Sequence, residues 1–179
     1  MRDVNVEAGT SNDSVVTFSG PSDTGFPNGT VTNVKVGTPV PDTTKNITVF
    51  TIGNMNYTVN GMQMNMDVAP YINANDRALL PVRYAANATG ISDSNIFWNA
   101  SDQSVLLTGS SRTVMMNIGS TTMWISGVKN EMDTVPVIID PGRTMLPIRY
   151  VAQALDCDIV WDADAMTITI TITQTVTGQ

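Results

Sequence analysis

Short runs in which apolar and polar residues alternate dominate this chain. A two-residue period is typical of strands that bury one face. Residues 62–66 alternate methionine with polar residues, and the Asn60-Gly61 dipeptide before them is a strong hairpin signal. Similar runs, separated by turns of glycine, asparagine and aspartate, fill most of residues 47–108 and 113–173. The pattern therefore predicts a succession of antiparallel hairpins.

Helical spacing occurs in only two stretches. In residues 143–155, Arg143 to Leu146 is predicted to be extended, and Pro147 suits the first helical position because its missing N–H costs no hydrogen bond there. Apolar residues then recur every three or four positions, at Ile148, Val151, Ala152 and Leu155. This predicts a strand that leads directly into a short helix, and residues 77–88, which include Pro81, carry an equivalent sequence.

A constant offset of 66 residues separates the two stretches. Only the loop between the helix and the next tryptophan differs, being three residues longer in the first copy. We predict two copies of one unit, at residues 46–111 and 112–179, which pack together after an N-terminal segment of residues 1–45. The offset also aligns Gly53 with Gly119, Gly61 with Gly127, Asp67 with Asp133, Pro70 with Pro136, and Tyr84 with Tyr150.

The order of elements in each copy is hairpins, one short helix and a further hairpin, which predicts an α+β fold that is mostly β, with antiparallel sheets. Residues 1–45 differ, because turn-forming residues surround two β-like runs at 14–18 and 30–36. Two isolated strands cannot bury a core, so we expect them to pair with a sheet elsewhere or to remain extended. Folding back onto the same chain is one hypothesis. Pairing of residues 14–36 with the sheet edge of a neighbouring copy, which would build filaments, is the other.

Composition narrows the classes of partner. Apolar residues make up 42% of the chain and charged residues only 14%, so asparagine, threonine and serine must supply the polar surface. The net charge is −7, and lysine and arginine form no cluster, which disfavours nucleic acid and anionic membranes. No apolar run approaches the length of a membrane span, and no secretory signal is visible at the N terminus, so an exported form would have lost its signal.

Motifs shared by the two copies carry a family resemblance. They are two glycines flanking an aromatic residue, Asp-x-x-Pro, Arg-x-x-Leu-Pro-Val/Ile-Arg-Tyr, and a tryptophan before a polar turn and a threonine-rich strand. Together, over residues 47–174, they resemble the copper amine oxidase-like N-terminal, or stalk, domain. The resemblance implies a non-catalytic antiparallel sheet wrapped on a helix, found with other domains in secreted and cell-surface proteins of Gram-positive bacteria.

From these observations we predict a non-enzymatic extracellular structural or adhesive module, whose partners are other copies or other cell-surface proteins. The alternative is a module that binds cell-wall or other polysaccharide with its tryptophans. Trp98 and Trp161 occupy equivalent positions, which favours a core role for both. Trp124 stands where the first copy has Thr58, and it is the candidate contact for a ligand or partner.

No residue pattern predicts a catalytic site, cofactor or metal. The chain has no histidine, which removes the usual copper ligand and the Ser-His-Asp and Cys-His arrangements. The carboxylate pair Asp162 and Asp164 lies in a predicted turn, and so does the pair Asp156 and Asp158, so turn formation is favoured over glycoside hydrolysis. Calcium at Asp162 and Asp164, or at Asp102, is conceivable, but no full loop of oxygen ligands is present.

The sulfur residues are expected in the core. Cys157 is the only cysteine, so it forms no intrachain disulfide, and its apolar and partly acidic neighbours favour a buried thiol. Copper(I) binding by thioethers is the alternative to core packing for the methionines. These are Met55, Met62, Met64, Met66, Met115, Met116, Met123, Met132 and Met145.

Arg83 and Arg149 fall in the first turn of each predicted helix, where the helix dipole disfavours a cation. We therefore expect a compensating partner for each of them. Asp67 and Asp133 are the only acids that recur at the 66-residue offset. The hypothesis is that each arginine pairs with one of these aspartates and pins hairpin to helix, at about 3–5 kcal/mol if the pair is buried.

Overall fold

The computed structural model describes the backbone of residues 4–7, 13–18, 30–35 and 42–176, and the side chains of residues 44–173. The chain divides into two units, one formed by residues 1–42 and 176–179 and the other by residues 43–175. In the first unit, strands β1 (Val4–Glu7), β2 (Asp13–Phe18) and β3 (Thr30–Lys35) form an antiparallel sheet in the order β1-β2-β3.

The sequence predicted β2 and β3 but not β1, and it did not predict that these strands would form a sheet of their own. The four residues of β1 are too short a run to give a periodic signal. Pairing β2 with a strand on each side satisfies its backbone hydrogen bonds within the segment. Residue 36, the last of the predicted run, lies outside the described residues.

The second unit contains the remaining strands, two α-helices and one short 3₁₀ helix. Before residue 112 they are β4 (Asp42–Thr51), β5 (Asn56–Val59), β6 (Met62–Asn65), β7 (Tyr71–Ile72), β8 (Ala78–Pro81), α1 (Val82–Ala88), the 3₁₀ helix (Asp93–Asn95), β9 (Ile96–Asn99) and β10 (Ser104–Thr108). After it they are β11 (Thr113–Asn117), β12 (Thr122–Ile125), β13 (Val128–Glu131), β14 (Val137–Ile139), β15 (Arg143–Pro147), α2 (Ile148–Ala154), β16 (Asp158–Asp162) and β17 (Thr167–Val176).

Three sheets organise the second unit, and each takes strands from both sides of residue 112. The orders are β13-β12-β11-β10-β9, β16-β17-β4-β5-β6 and β14-β15-β8-β7. We call the segment before residue 112 the first half and the segment after it the second half. The last hairpin of each half thus completes the sheet begun by the other half. The predicted class, α+β and mostly β with antiparallel pairing, is confirmed.

The centre of the unit is the pairing of β8 with β15. Leu146 lies opposite Leu80, and Pro147 lies opposite Leu79. All four residues are buried, so this strand pair joins the halves inside the core. Residues 143–146 are extended as predicted, but the prediction that Pro147 begins the helix was wrong by one residue. Its ψ of 102° is extended, so it ends β15 and caps α2, as Pro81 does for α1.

Both α-helices are seven residues long, and no helix in the described part of the chain is long and apolar enough to cross a membrane. Each helix buries a small apolar face against the sheets, with Ala85 and Ala86 in α1 and Val151 and Ala152 in α2 fully inaccessible. Small side chains bring the helix backbone close to the sheets. The largest fully buried side chains around them are Phe50, Met66, Leu79, Leu80, Leu107, Met116, Met145, Leu146, Ile148, Ile168 and Ile170.

Several turns occur in matching pairs at the 66-residue offset. Asn60 and Gly61 both have positive φ, at 50° and 80°, as a two-residue type I′ hairpin requires, and the predicted hairpin between β5 and β6 is confirmed. Ser126 and Gly127 repeat these angles at 47° and 81°. The N–H of Gly53 donates a 2.8 Å hydrogen bond to the carbonyl of residue 70, and Gly119 does the same to residue 136.

Candidate functional site

Two ion pairs connect the halves. The Nε of Arg77, in the loop before β8, lies 2.9 Å from Asp133 Oδ2, and Arg143 Nε of β15 bonds Asp67. The hydroxyl of Tyr150 accepts a 3.0 Å hydrogen bond from the Asp133 N–H. Each pair joins an arginine that precedes a helix to the aspartate of the other half, so the two pairs cross-brace the unit.

The ion pairs change the acidity of both aspartates. The hydrogen bond from Arg77, aided by Tyr150, lowers the pKa of Asp133 below its ordinary value of 3.8. For Asp67, partial burial opposes ionisation, but the hydrogen bond and charge of Arg143 outweigh it, and the pKa is lowered as well. Both carboxylates are therefore ionised whenever the protein is near neutral pH.

The predicted pairing of Arg83 and Arg149 with these aspartates was wrong. Arg83 lies 3.6 Å from Asp93, and Arg149 forms no ion pair with any of residues 44–173. The dipole of a seven-residue helix is weak, and both helical arginines are exposed, so water solvates them without a fixed partner. The sequence did contain a signal for the correct partners of the two aspartates, because Arg77 and Arg143 also recur at the 66-residue offset.

A cavity of about 340 Å³ lies beside the start of α2. Its wall is mainly apolar, with Trp161 of β16 along one side and the arginines 77 and 149 among the few charged groups. Trp161 is 40% exposed, which leaves much of the indole open to solvent. We call this the α2 cavity. Its lining is Ile72, Asp76, Arg77, Ala78, Pro147, Ile148, Arg149, Tyr150, Ile159, Trp161, Met166 and Ile168.

A smaller cavity of about 260 Å³ occupies the matching place beside α1, and we call it the α1 cavity. Here the loop after the helix carries the three extra residues 92–94, which include Asp93 of the 3₁₀ helix. Asp93 lines this cavity and neutralises Arg83. Tyr84 also lines it and packs edge-on against Tyr57, with ring centroids 5.6 Å apart. The α1 cavity therefore matches the α2 cavity in position, but its helical arginine has an ion-pair partner.

The expectation that Trp98 and Trp161 lie in the core was wrong. They are 45% and 40% exposed, although each lies opposite a buried residue, Val105 for Trp98 and Ile168 for Trp161. Residues directly opposite each other share one face of a sheet, so both indoles are on the core side. They remain accessible because β9 and β16 are edge strands and the core does not extend under them.

Trp124 belongs to a row of apolar side chains that crosses the outer face of the sheet β9 to β13. It lies opposite Met115, which lies opposite Leu106, which lies opposite Phe97. Phe97 is 51% exposed, and the other three are partly exposed. The corresponding positions of the sheet β4, β5, β6, β16 and β17 are Val160, Thr169, Val49 and Thr58, so two of the four are threonines. Beyond this row, Lys129 of β13 lies opposite Trp124 and corresponds to Gln63, which lies opposite Thr58.

The prediction that the methionines fill the core was half right. Met55, Met62 and Met64 are exposed, because Met55 precedes β5 in a turn and the other two lie on the edge strand β6. Met115 is partly exposed in the outer row described above. The methionines that are buried, as the core prediction requires, are Met66, Met116, Met123, Met132 and Met145.

Cys157 lies at the margin of the core, after α2. It is half-buried, and its thiol contacts the Thr89 carbonyl at 3.8 Å. Burial, with help from the neighbouring aspartates 156 and 158, raises the pKa of this thiol to about 11. The thiolate is the reactive form, so Cys157 is a poor nucleophile at neutral pH.

Three of the five carboxylates singled out for catalysis or calcium, those of Asp162, Asp102 and Asp156, are used in turns or an ion pair. Asp162 Oδ1 accepts hydrogen bonds of 3.0 Å from the N–H groups of residues 164 and 165. Asp102 Oδ1 accepts one from the Ser104 N–H at 3.1 Å, and Asp156 pairs with Arg112 at 2.9 Å. Within residues 44–173, no three residues among cysteine, aspartate and glutamate cluster as metal ligands do. With no histidine in the chain, this donor set lacks the imidazole ligands that copper(II) usually takes.

Interlocked antiparallel sheets, two short helices and crossed ion pairs define a β-rich domain of the α+β class. Comparison with known families identifies the family to which this domain belongs. Residues 43–170 match the family model for the copper amine oxidase N-terminal domain, and the chain belongs to that family. Domains of this family are non-catalytic and of the stalk type. A search of curated proteins and a search of solved structures each gave no significant match.

Proposed function

We propose that this chain is a non-enzymatic structural module of a secreted or cell-surface protein of the Gram-positive type. The observation that carries the proposal is the crossed bracing of residues 43–175, where each half supplies strands to all three sheets and an arginine to the other half's aspartate. A unit of this kind cannot lose either half without exposing the core of the other. Such resistance to local opening suits a stalk.

The matched turns and ion pairs support an origin from two copies of one unit. Their last hairpins are exchanged, because β9 and β10 complete the second half's sheet, and β16 and β17 complete the first half's sheet. The N–H of Ile52 donates to the carbonyl of residue 166 at 2.9 Å, and Ile118 donates to residue 103 at the same distance. The pairing of β8 with β15 maps onto itself when the two halves are exchanged, as the contact in an isologous two-fold dimer does.

Trypsin digestion of the full chain, with surface labelling of cells, tests the structural proposal. Residues 43–175 contain trypsin sites at arginines 77, 83, 112, 143 and 149 and at lysines 45 and 129. We expect cleavage at residues 77–149 to be limited by global unfolding, and antibodies against the unit to label intact cells of the source organism. Native cleavage at these positions as fast as in the denatured chain would contradict the bracing. Labelling only after permeabilisation would contradict the extracellular location.

Self-assembly is a further part of this proposal. The first unit's sheet ends in β1 and β3, and an edge strand offers unpaired backbone groups to a neighbouring chain. We propose that residues 14–36, through the edge strand β3, let copies associate head to tail by strand pairing. Light scattering at rising concentration tests this, with a chain lacking residues 1–41 as the control. A full-length chain that stays monomeric at every concentration would exclude strand pairing between copies.

Polysaccharide binding is the second candidate, and the apolar row of Phe97, Leu106, Met115 and Trp124 favours it. Aromatic groups on a flat sheet face, flanked by threonine and asparagine, suit stacking on sugar rings together with hydrogen bonds to hydroxyls. Co-sedimentation with insoluble cell-wall polysaccharide tests this candidate. We expect Trp124→Thr, which installs the residue found at position 58, to abolish binding. Val49→Thr on the other sheet is the matched control, and equal binding by both variants would exclude the candidate.

A further inference from the structure

We propose that the α2 cavity binds a carboxylated sugar, with Arg149 holding the carboxylate and Trp161 stacking on the ring. The inference goes beyond the polysaccharide-binding candidate, because it names a separate site and the charge of the sugar that this site takes. It follows from the comparison of two cavities that occupy matching places in the same unit.

The first observation is the difference in charge balance. In the α1 cavity, the extra residues 92–94 supply Asp93, which lies 3.6 Å from Arg83. The second half lacks these residues, and Arg149 forms no ion pair with any side chain of residues 44–173. The planar guanidinium is suited to bind a carboxylate through two parallel hydrogen bonds. The shorter loop therefore leaves Arg149 without the ion-pair partner that Arg83 has in Asp93.

The second observation is the apolar wall. Trp161, Met166 and Ile159 line the α2 cavity, whereas neither Trp98 nor Gln103, the matching residues, lines the α1 cavity. An indole that is 40% exposed at a concave surface offers a flat apolar face to the C–H side of a sugar ring. At about 340 Å³, the cavity lies near the lower end of the range for small-ligand sites, which suits a single sugar unit of a longer polymer.

The third observation concerns the remaining charged and polar groups. Arg77 is bound to Asp133, and the Tyr150 hydroxyl is bonded to the Asp133 N–H, so neither is free for a ligand. The Asp76 carboxylate makes no hydrogen bond with a group in residues 44–173, and it is the acceptor that sugar hydroxyls require. A sugar acid thus matches the cation, the apolar wall and the acceptor together.

Isothermal titration of the full chain with trigalacturonate and with its fully methyl-esterified form tests the inference. The two probes share the same rings and differ in charge. We expect the acid to bind at least about tenfold more tightly than the ester. Arg149→Gln should remove that preference, and Trp161→Thr should weaken both probes. Arg83→Gln is the matched control in the α1 cavity, and it should change the dissociation constant less than about twofold.

Three results would overturn the inference: equal affinity for acid and ester, an unchanged preference in Arg149→Gln, or no heat of binding at millimolar trigalacturonate. Circular dichroism of each variant separates loss of a site from loss of the fold. None of these results decides the polysaccharide-binding candidate itself. That candidate is tested by sedimentation with insoluble polymer, using a variant of Trp124, which lies on another face. Failure of Trp124→Thr to alter sedimentation would equally leave the Arg149 result standing.

Discussion

Replacing Leu146 with alanine should destabilise both halves of residues 43–175 at once. Leu146 is fully inaccessible and lies opposite Leu80, also fully inaccessible, where β15 meets β8. Removing its side chain beyond Cβ leaves a void in the core, beside a strand pair whose backbones are fixed by their neighbours in the sheet. Truncation of a buried leucine to alanine costs about 2–5 kcal/mol of unfolding free energy, and limited collapse at this site places the cost in the upper part of that range.

This cost converts into a measurable shift in melting temperature. The entropy of unfolding is about 2.1 cal/mol/K per residue, so a unit the size of residues 43–175 loses roughly 3–4 °C per kcal/mol. We therefore expect the melting temperature of Leu146→Ala to fall by about 12–18 °C, which corresponds to the upper part of that range. Met62→Ala is the control, because Met62 is 67% exposed on an edge strand and its truncation should change stability by less than about 0.5 kcal/mol.

Urea unfolding followed by two probes tests whether the halves respond together. Trp98 lies in β9 of the first half and Trp161 in β16 of the second. The double variants Trp124→Phe/Trp161→Phe and Trp98→Phe/Trp124→Phe therefore each keep one of them as the single tryptophan reporter. In the Leu146→Ala background, both reporters and far-UV circular dichroism should give one midpoint, lowered by the same amount. A cost below about 1 kcal/mol, or two separate midpoints, would refute the argument that this strand pair joins the halves in one cooperative core.

Three further predictions concern the charged groups and the thiol. A double-mutant cycle with Arg143→Gln and Asp67→Asn should give a coupling of about 0.2–1 kcal/mol, because the pair is half exposed, and a coupling above about 3 kcal/mol would show that it behaves as buried. The lowered pKa of Asp133 stabilises the fold above pH 3.8, and that stability is lost as pH falls through the folded-state pKa. Urea midpoints between neutral pH and pH 2.5 should therefore decline less steeply in Asp133→Asn, and an unchanged slope would contradict the role of Arg77. Because the pKa of Cys157 is about 11, iodoacetamide at mildly alkaline pH should label it only in urea, and rapid native labelling followed by mass spectrometry would disprove this.

The sequence by itself determined the local elements of this protein. The Asn60-Gly61 turn was predictable because both residues tolerate positive φ, and the strand after it was predictable from its two-residue period. The two helices and the α+β class followed from spacing and from the order of elements. These features depend on interactions between residues close in the chain, which a pattern of residue types records.

Which residues meet across the chain was decided only by the tertiary structure. Asp133 pairs with Arg77 of the other half rather than with Arg149 of its own half. The 66-residue offset cannot distinguish these two partners, because each recurring arginine and aspartate keeps that offset whichever half supplies its partner. Sequence equivalence therefore identified the recurring aspartates but not their partners. The exposure of Trp98 and Trp161 was likewise not predictable from the sequence. It arises because β9 and β16 are edge strands and the core does not extend under them. An edge is a property of the assembled sheet, and no single strand's sequence contains it.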